Sequence, residues 1–377
     1  MTSIIPSRLT GVGTHHVTLI PGDGVGPELV DAARAAIEAT GVDVRWDVQT
    51  AGLAALEADG HPLPERLIDS IRERGVALKG PLGTPSGSRS VNVSLRLALG
   101  LFAAVRPCRS YPGVRSAYEG VDLVVIRELT EGAYTGIEFE QGAPTTAELI
   151  GFIERGTGRR IREDSGLSIK AISAGASERV ARFAFEQAEA GGRRKVTAGH
   201  KANILKRTDG LFLEVAGRVA AERPALEFED RIIDALAMQL VQRPEAFDVL
   251  LLPNLYGDLV SDLCAGMAGG LGLAPGANHG DACAVFEATH GTAVTYRGLN
   301  RANPMALMLS GAMLLRHLGE PRAGDRLEAA VAQVIAEGRT VTYDLKPTDD
   351  DPTAASTTDV RDAVVGKLLS RSGVGER

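Results

Sequence analysis

The stretch Asn254-Leu-Tyr-Gly-Asp258-Leu-Val-Ser-Asp262 offers the strongest chemistry in the chain. It follows an apolar run at 249–252, and at the head of a helix its two aspartates, four residues apart, share one face beside the positive end of the dipole. Two such carboxylates leave octahedral positions open for water and a chelating ligand, the usual way of holding Mg2+ or Mn2+. Taken alone, Asp258 reads as a cap of the helix and Asp262 as a solvated first-turn acid. Arg96, Arg106 and Arg127 change that balance, because they stand in otherwise apolar sequence and a planar guanidinium grips a carboxylate at two points. Singly, each would be an ordinary surface or interface arginine. Together beside a cation, they suit a small, multiply anionic substrate.

Tyr134 lies beyond an apolar strand at 123–126, and Lys201 leaves another at 195–198 within Gly199-His-Lys201-Ala-Asn203. A lysine in a partly dry site beside a cation can lose its proton near neutrality, so this pair makes a workable acid and base. On their own, Tyr134 reads as a core ring and Lys201 as a solvated cation.

These groups need a scaffold, and the apolar pattern supplies one. Short runs at 16–21, 76–78, 123–126, 195–198, 249–252 and 284–287 alternate with helical stretches such as 177–189 and 231–241, which is the α/β class with an extended central sheet. Segments rich in glycine and proline at 80–90 and 268–280, and the acidic stretch 346–351, read as loops. Gly22-Asp-Gly-Val-Gly26 follows a strand and precedes a helix opening at Pro27, as a dinucleotide fingerprint would. It fails as one. The third glycine would fall on Pro27, and the next strand, near 42–48, has no clean acidic residue to hold a ribose. A tight turn with Asp23 near a helix start is the better reading.

With 377 residues, 44% of them hydrophobic, two globular domains are expected. Lysine plus arginine number 41 against 48 aspartate plus glutamate, and no basic stripe marks a nucleic-acid partner. Neither a secretory pattern before His16 nor an apolar span of membrane length is present, so a cytoplasmic location is expected. Cys108, Cys264 and Cys283 lack metal or disulfide spacing and read as buried thiols. The scattered histidines likewise direct any metal toward oxygen ligands.

Taken in order, Arg96, Arg106, Arg127 and Tyr134, then Gly199–Asn203, Asn254–Asp262 and Glu287-Ala-Thr-His290-Gly291-Thr292-Ala293 resemble the β-decarboxylating dehydrogenases, from Val17 to about Asp344. Isocitrate, isopropylmalate, homoisocitrate and tartrate dehydrogenases make up that family. The resemblance implies two α/β domains around an extended twisted mixed sheet, not a Rossmann fold. The large, cofactor-side domain would take residues 1–107 and 269–377, and the small one, with metal ligands and dimer interface, 108–268. It implies a divalent metal held by Asp258 and Asp262 together with Asp234 of the partner subunit. Arg96, Arg106 and Arg127 would clamp carboxylates. Lys201 of the partner subunit would take the hydroxyl proton, and Tyr134 would protonate the enolate left by carbon dioxide. The obligatory homodimer would complete each site. Thr84 and the segment from Glu287 through His290, Gly291 and Thr292 to Ala293 would meet the nicotinamide and ribose, with Asn203 nearby. Residues 269–280, His290 and Asn303 would surround the adenosine.

Ser90 and Asn92 match the isocitrate enzymes, where they meet the distal carboxylate, and an apolar pocket would leave such a group unpaired. The loop 85–90 is shorter than usual for isocitrate enzymes, and Leu129 stands where asparagine is common. Homoisocitrate, isopropylmalate, tartrate or a phosphonate analogue therefore remain alternatives, as does a non-catalytic regulatory subunit. Thr295 replaces the aspartate of NAD enzymes, while Tyr296, Tyr343 and Arg243, helped by Arg297 or Arg301, lean the NAD(P)+ choice toward NADP+.

Overall fold

The computed structural model describes residues 13–372, so most of the stretch searched for a leader lies outside the described residues. The chain begins β1 (His15–Ile20), α1 (Gly26–Glu38), β2 (Val44–Val48), α2 (Leu53–Asp59), α3 (Glu65–Arg74) and β3 (Val76–Lys79). Helix α4 (Val91–Ala98) leads into β4 (Leu101–Arg109) and β5 (Asp122–Glu128). A two-stranded ribbon, β6 (Glu138–Phe139) and β7 (Leu167–Ser168), brackets α5 (Pro144–Thr157). Then follow α6 (Ala174–Ala190), β8 (Lys195–His200), α7 (Asp209–Ala221), β9 (Glu227–Ile232), α8 (Ile233–Gln242), β10 (Val249–Leu252) and α9 (Asn254–Ala268). Strands β11 (Pro275–Gly280) and β12 (Ala284–Ala288) and helices α10 (Met305–His317), α11 (Pro321–Glu337) and α12 (Thr357–Ser372) complete the α/β architecture.

Ten strands form one mixed sheet, in the order β2-β1-β3-β12-β11-β4-β5-β10-β8-β9. The outer groups β2-β1-β3-β12 and β5-β10-β8-β9 are each internally parallel, while β11 and β4 are antiparallel to both their neighbours. The two parallel groups therefore run in opposite directions. A buried row crosses the sheet through Leu78, Phe286, Ala277, Val105, Ile126 and Leu251. One residue further along their strands come Lys79, Glu287, Arg106 and Arg127, on the opposite face because side chains alternate. The sheet thus turns apolar residues to one side and a charged cluster to the other.

Two expectations need correction. The segment 268–280 is not wholly loop, since Pro275–Gly280 is β11, buried between β4 and β12. Its proline starts the strand, where a missing N–H is tolerated. The helix expected over 231–241 begins at Ile233, because Arg231 pairs with Gly199 in β9, a charged edge strand. The three cysteines are free and buried, as the sequence indicates. Asp23 holds loops together rather than opening the helix after it. Its carboxylate accepts the N–H groups of Leu53 and Ala54 at the start of α2 (3.0 and 3.1 Å) and of Gly83 (2.7 Å).

On β11, the His279 ring packs against Phe183 (5.2 Å), His317 (5.9 Å) and Phe286 (6.1 Å). Burial, with the charge of His317 second, draws the His279 pKa down to about 3, and burial also lowers that of His317. An unfolded histidine titrates near 6.5, so below that pH the unfolded chain takes up a proton that the folded one refuses. This contribution is fully present above about pH 6.5 and is lost as pH falls toward 3. Between pH 7 and 5, His279 alone is expected to remove about 2 kcal/mol of unfolding free energy. Urea unfolding of wild type and His279→Phe at both pH values measures this, and equal slopes with pH would refute it.

Candidate active site

Residues at the carboxyl ends of β3, β12 and β5, with Arg106 of β4, meet the heads of α4 and α9. Arg127, fully buried, donates through Nε and Nη2 to the Asn254 side-chain oxygen (3.1 and 2.7 Å) and pairs through Nη1 with Asp258. It lies so close to α9 that a Cβ on Gly257 would stand 2.5 Å from its Cγ, so the helix can seat there only with glycine. Arg106 donates to the Ser261 hydroxyl (2.6 Å) and stands 3.3 Å from Asp258 and 3.7 Å from Asp262. The short 3-10 turn Gly132–Thr135 presents Tyr134, whose hydroxyl donates to Asp258 and whose ring lies 4.9 Å from the Arg127 guanidinium carbon.

These contacts set the charges. Burial opposes ionisation of Asp258, but Arg127, the Tyr134 hydroxyl and Arg106 outweigh it and hold the carboxyl below its ordinary range. Asp262 is shifted the other way, raised by burial against the weaker pull of Arg106. Burial and then Arg106 lower the pKa of Arg127, while burial and Asp258 raise that of the Tyr134 phenol. Helix α9 starts at Asn254, so Asp258 lies in its second turn and caps nothing, and Asp262 is one turn further on. An ionised carboxylate with a second one turn away is a suitable donor set for a hard divalent cation.

Beside this group, α4 carries Arg96 and Asn92, and Ser90 caps it by accepting the N–H of Val93 (3.4 Å). Arg96 pairs with Glu287 (3.2 Å), which Lys79 (2.5 Å) and Asn278 (2.6 Å) also hold. Burial opposes ionisation of Glu287, but the charges of Lys79 and Arg96 keep it well below the usual carboxylate range. A cavity of about 140 Å³ is lined by Lys79, Asn92, Arg96, Arg106, Glu287 and His290, among others. Two of its wall atoms, Asn92 Oδ1 and His290 Nε2, are buried without a hydrogen-bond partner, so they offer polar contacts to a guest. The pKa of His290 is lowered by burial. The cavity therefore joins the arginine group to the segment from Glu287 to Gly291. Lys79 and Asn278 escaped the sequence reading. The available signal was a lysine ending a fully buried strand, since ligands of α/β sheets bind beyond carboxyl ends.

Most of the residues assigned to the cofactor fall into two places. Gly291, Thr292 and Ala293 continue from the cavity, and the Thr292 carbonyl accepts the N–H of Val25 (3.0 Å). A Cβ on Gly24 (φ +61°) would stand 2.0 Å from that carbonyl oxygen, which accounts for glycine at that position. Ala293 itself has φ 40°, a strained value for a residue with a side chain. Thr295 and Tyr296 follow in a 3-10 turn, Tyr296 stacks on Tyr343 (5.7 Å), and Arg301 lies 4.5 Å over the Tyr343 ring. Asn303 donates to Asp344 (2.9 Å), and Thr84 accepts the N–H of Val91 (3.2 Å). Asn203 and Arg243 lie on other elements, in the turn after Lys201 and at the end of α8. Leu129, considered above for its unusual identity, is buried in an apolar core with Leu95 and Ala104.

Lys201 and Asp234 form their own pair, Nζ to Oδ1 at 2.6 Å, which lowers the Asp234 pKa. Among the described residues of one chain, no three histidine, cysteine or acidic side chains converge as a metal site, so Asp234 does not join Asp258 and Asp262 within the chain.

The model of the isocitrate/isopropylmalate dehydrogenase family matches residues 16–364. The chain is 44% identical over 331 residues to isocitrate dehydrogenase (NAD) catalytic subunit 6 of Arabidopsis thaliana, covering 87% of this chain and 83% of that protein. It is 45% identical over 358 residues to regulatory subunit 2 from the same plant, covering 93% and 89%. The crystal structure of isocitrate dehydrogenase from Methylococcus capsulatus superposes with a TM-score of 0.85 at 48% identity, over 94% of this chain and 99% of that one. With that match along almost its whole length, the chain belongs to the isocitrate/isopropylmalate dehydrogenase family of decarboxylating dehydrogenases.

Proposed function

We propose that the protein oxidises isocitrate, or a close analogue, with NAD(P)+ and a divalent metal and yields 2-oxoglutarate and carbon dioxide. The observation that carries this reading is the convergence of Arg106, Arg127 and Tyr134 on Asp258, beside a cavity that also exposes Arg96 and Asn92. Two arginines with a third across the cavity answer a substrate with several carboxylates. Asn92 favours a polar distal group over the aliphatic one of isopropylmalate, because its side-chain NH2 can donate to a carboxylate oxygen and finds no acceptor on an apolar arm.

Asp258 and Asp262 would hold Mg2+ or Mn2+ with Asp234 of the partner subunit, and the cation, when bound, withdraws electrons from the 2-oxo oxygen while a bound nicotinamide accepts the hydride. Arg96, Arg106 and Arg127 hold and orient the carboxylates. Lys201 of the partner subunit takes the 2-hydroxyl proton. As the bond to the departing carboxylate breaks, its electron pair passes to the 2-oxo group, and the Tyr134 hydroxyl then delivers a proton to carbon. Lys201 and Asp234 already share a pair within one chain, as residues exported together to a neighbouring site would. Met238 and Val241 on α8 and Leu255 and Leu259 on α9 leave an apolar face exposed, which suits a subunit interface such as the proposed homodimer needs. The division into 1–107 plus 269–377 and 108–268 is proposed with it. One apolar core draws on both chain ends, from Val17 to Val44 and from Leu273 to Leu368, and others gather the middle.

For the cofactor, the Tyr296–Tyr343 stack under Arg301 suits a phosphorylated ribose, whereas the relatives are named for NAD and lend the NADP+ lean no support. The relatives' names also place them in mitochondria rather than the cytoplasm, so the cytoplasmic expectation gains nothing from them. A regulatory role is the second reading, because three relatives carry that name. Against it, Asp258, Asp262, Lys201 and Tyr134 are all present. A panel of isocitrate, homoisocitrate, isopropylmalate, tartrate and a phosphonate analogue, run with each cofactor and Mg2+, is expected to show the highest kcat/KM for isocitrate. Turnover should vanish with chelator. Undiminished reduction in a metal-free assay would overturn the mechanism, and no turnover of any panel member would favour the regulatory reading.

A further inference from the structure

We infer that Asp209 is the positioning residue for Lys201, which rests on the reading of Lys201 as proton acceptor. Asp209 opens α7 and is 0% exposed, a costly place for a carboxylate unless its oxygens are matched. Oδ1 accepts from the Lys170 ammonium (2.5 Å) and the Thr208 hydroxyl (3.4 Å). Oδ2 accepts from the backbone N–H of Lys201 (2.8 Å). Lys170 is itself seated on α9, 4.6 Å over the Tyr256 ring and 3.3 Å from its hydroxyl.

Lys201 needs such a hold because the chain leaves the sheet at that residue. The turn that follows is short, with the Lys201 carbonyl accepting from the N–H groups of Ile204 (3.0 Å) and Leu205 (2.8 Å), and it points outward, Ile204 being 67% exposed. Asp209 grips its first N–H from the buried side, while Asp234 meets the ammonium at the far end of the same side chain. The direction in which Lys201 leaves β8 is thus fixed by a buried ion, which a hydrogen bond to a neutral group would do less firmly. Asp209 acts on the backbone and takes no proton in the reaction.

The test uses the full-length protein with Asp209→Ala and Asp209→Asn, the latter keeping shape and one acceptor oxygen, each checked by thermal melting. Misplacement of a reacting group by about 1 Å can cost about 100-fold, so Asp209→Ala is expected to lower kcat by about 50-fold with both KM values within about threefold. Asp209→Asn should recover part of that loss. Amide hydrogen exchange at Lys201 should quicken at least about tenfold in Asp209→Ala, because a hydrogen bond closing that amide has gone. Decarboxylation of the β-oxo acid intermediate, supplied directly, should stay near the wild-type rate, since that step removes no hydroxyl proton. Unchanged exchange at Lys201, unchanged kcat, or a rise in KM at constant kcat would each overturn the assignment. An active wild type with an unaffected Asp209→Ala sinks this inference alone. A wild type that oxidises no hydroxy acid sinks the reading of Lys201, and this inference with it.

Discussion

Asp258→Asn will lower kcat/KM for the hydroxy acid by on the order of 10³-fold, a loss of about 4 kcal/mol in transition-state stabilisation. The substitution preserves size, its one oxygen can still accept from Arg127, and its NH2 can donate to the Tyr134 hydroxyl, so the contacts that seat α9 largely survive. What it removes is the charge that Arg127 and Arg106 keep ionised and that a cation would use. Thermal melting should therefore change little while Mn2+ binding, followed by its paramagnetic resonance, is abolished. Normal turnover with normal Mn2+ affinity would reduce Asp258 to a structural anchor for Arg127.

Lys201→Met will lower kcat by on the order of 10³-fold with a much smaller change in KM, as loss of a general base does. Shared sites add a sharper expectation. A dimer of one Lys201→Met and one Asp258→Asn subunit contains one site with neither defect, so random equal mixing of two inactive variants should restore about a quarter of wild-type activity. Mixing after dissociation and refolding measures this. Zero recovery in a mixture shown to contain hybrid dimers would confine Lys201 and Asp258 to the same subunit's site.

Much of the site was legible because its residues stand at strand ends or at helical spacing. Arg127 closes an apolar strand, Asp258 and Asp262 lie one helical turn apart after another, and Lys201 follows a third. Each of those patterns is local. The partnership of Arg96 with Glu287 spans 191 positions, and that of Arg127 with Asn254 spans 127, so neither leaves a trace in spacing. Lys79 was lost for a related reason, since a lysine after Val-Ala-Leu looks like a strand running out into solvent. Only the neighbouring strand, contributed from the other end of the chain, turns it into a buried partner of Glu287. β11 was hidden by composition, because Pro-Gly-Ala-Asn-His-Gly carries none of the branched residues that announce a strand, and its place is dictated by the two strands that sandwich it. Asp209 opens a helix, where an acid is commonplace and draws no notice in the sequence. Its meaning came from complete burial, which no local pattern reports.

Both guanidinium groups that line the cavity already own a carboxylate, Arg96 with Glu287 and Arg106 with Asp258, and Arg127 behind them shares Asp258. An arriving anion therefore works by exchange, displacing an internal anion that must find a new counter-charge. For Asp258 that counter-charge would be the proposed divalent ion, which would tie the two affinities together thermodynamically. Each ligand would then tighten the other by the same factor, whichever arrives first.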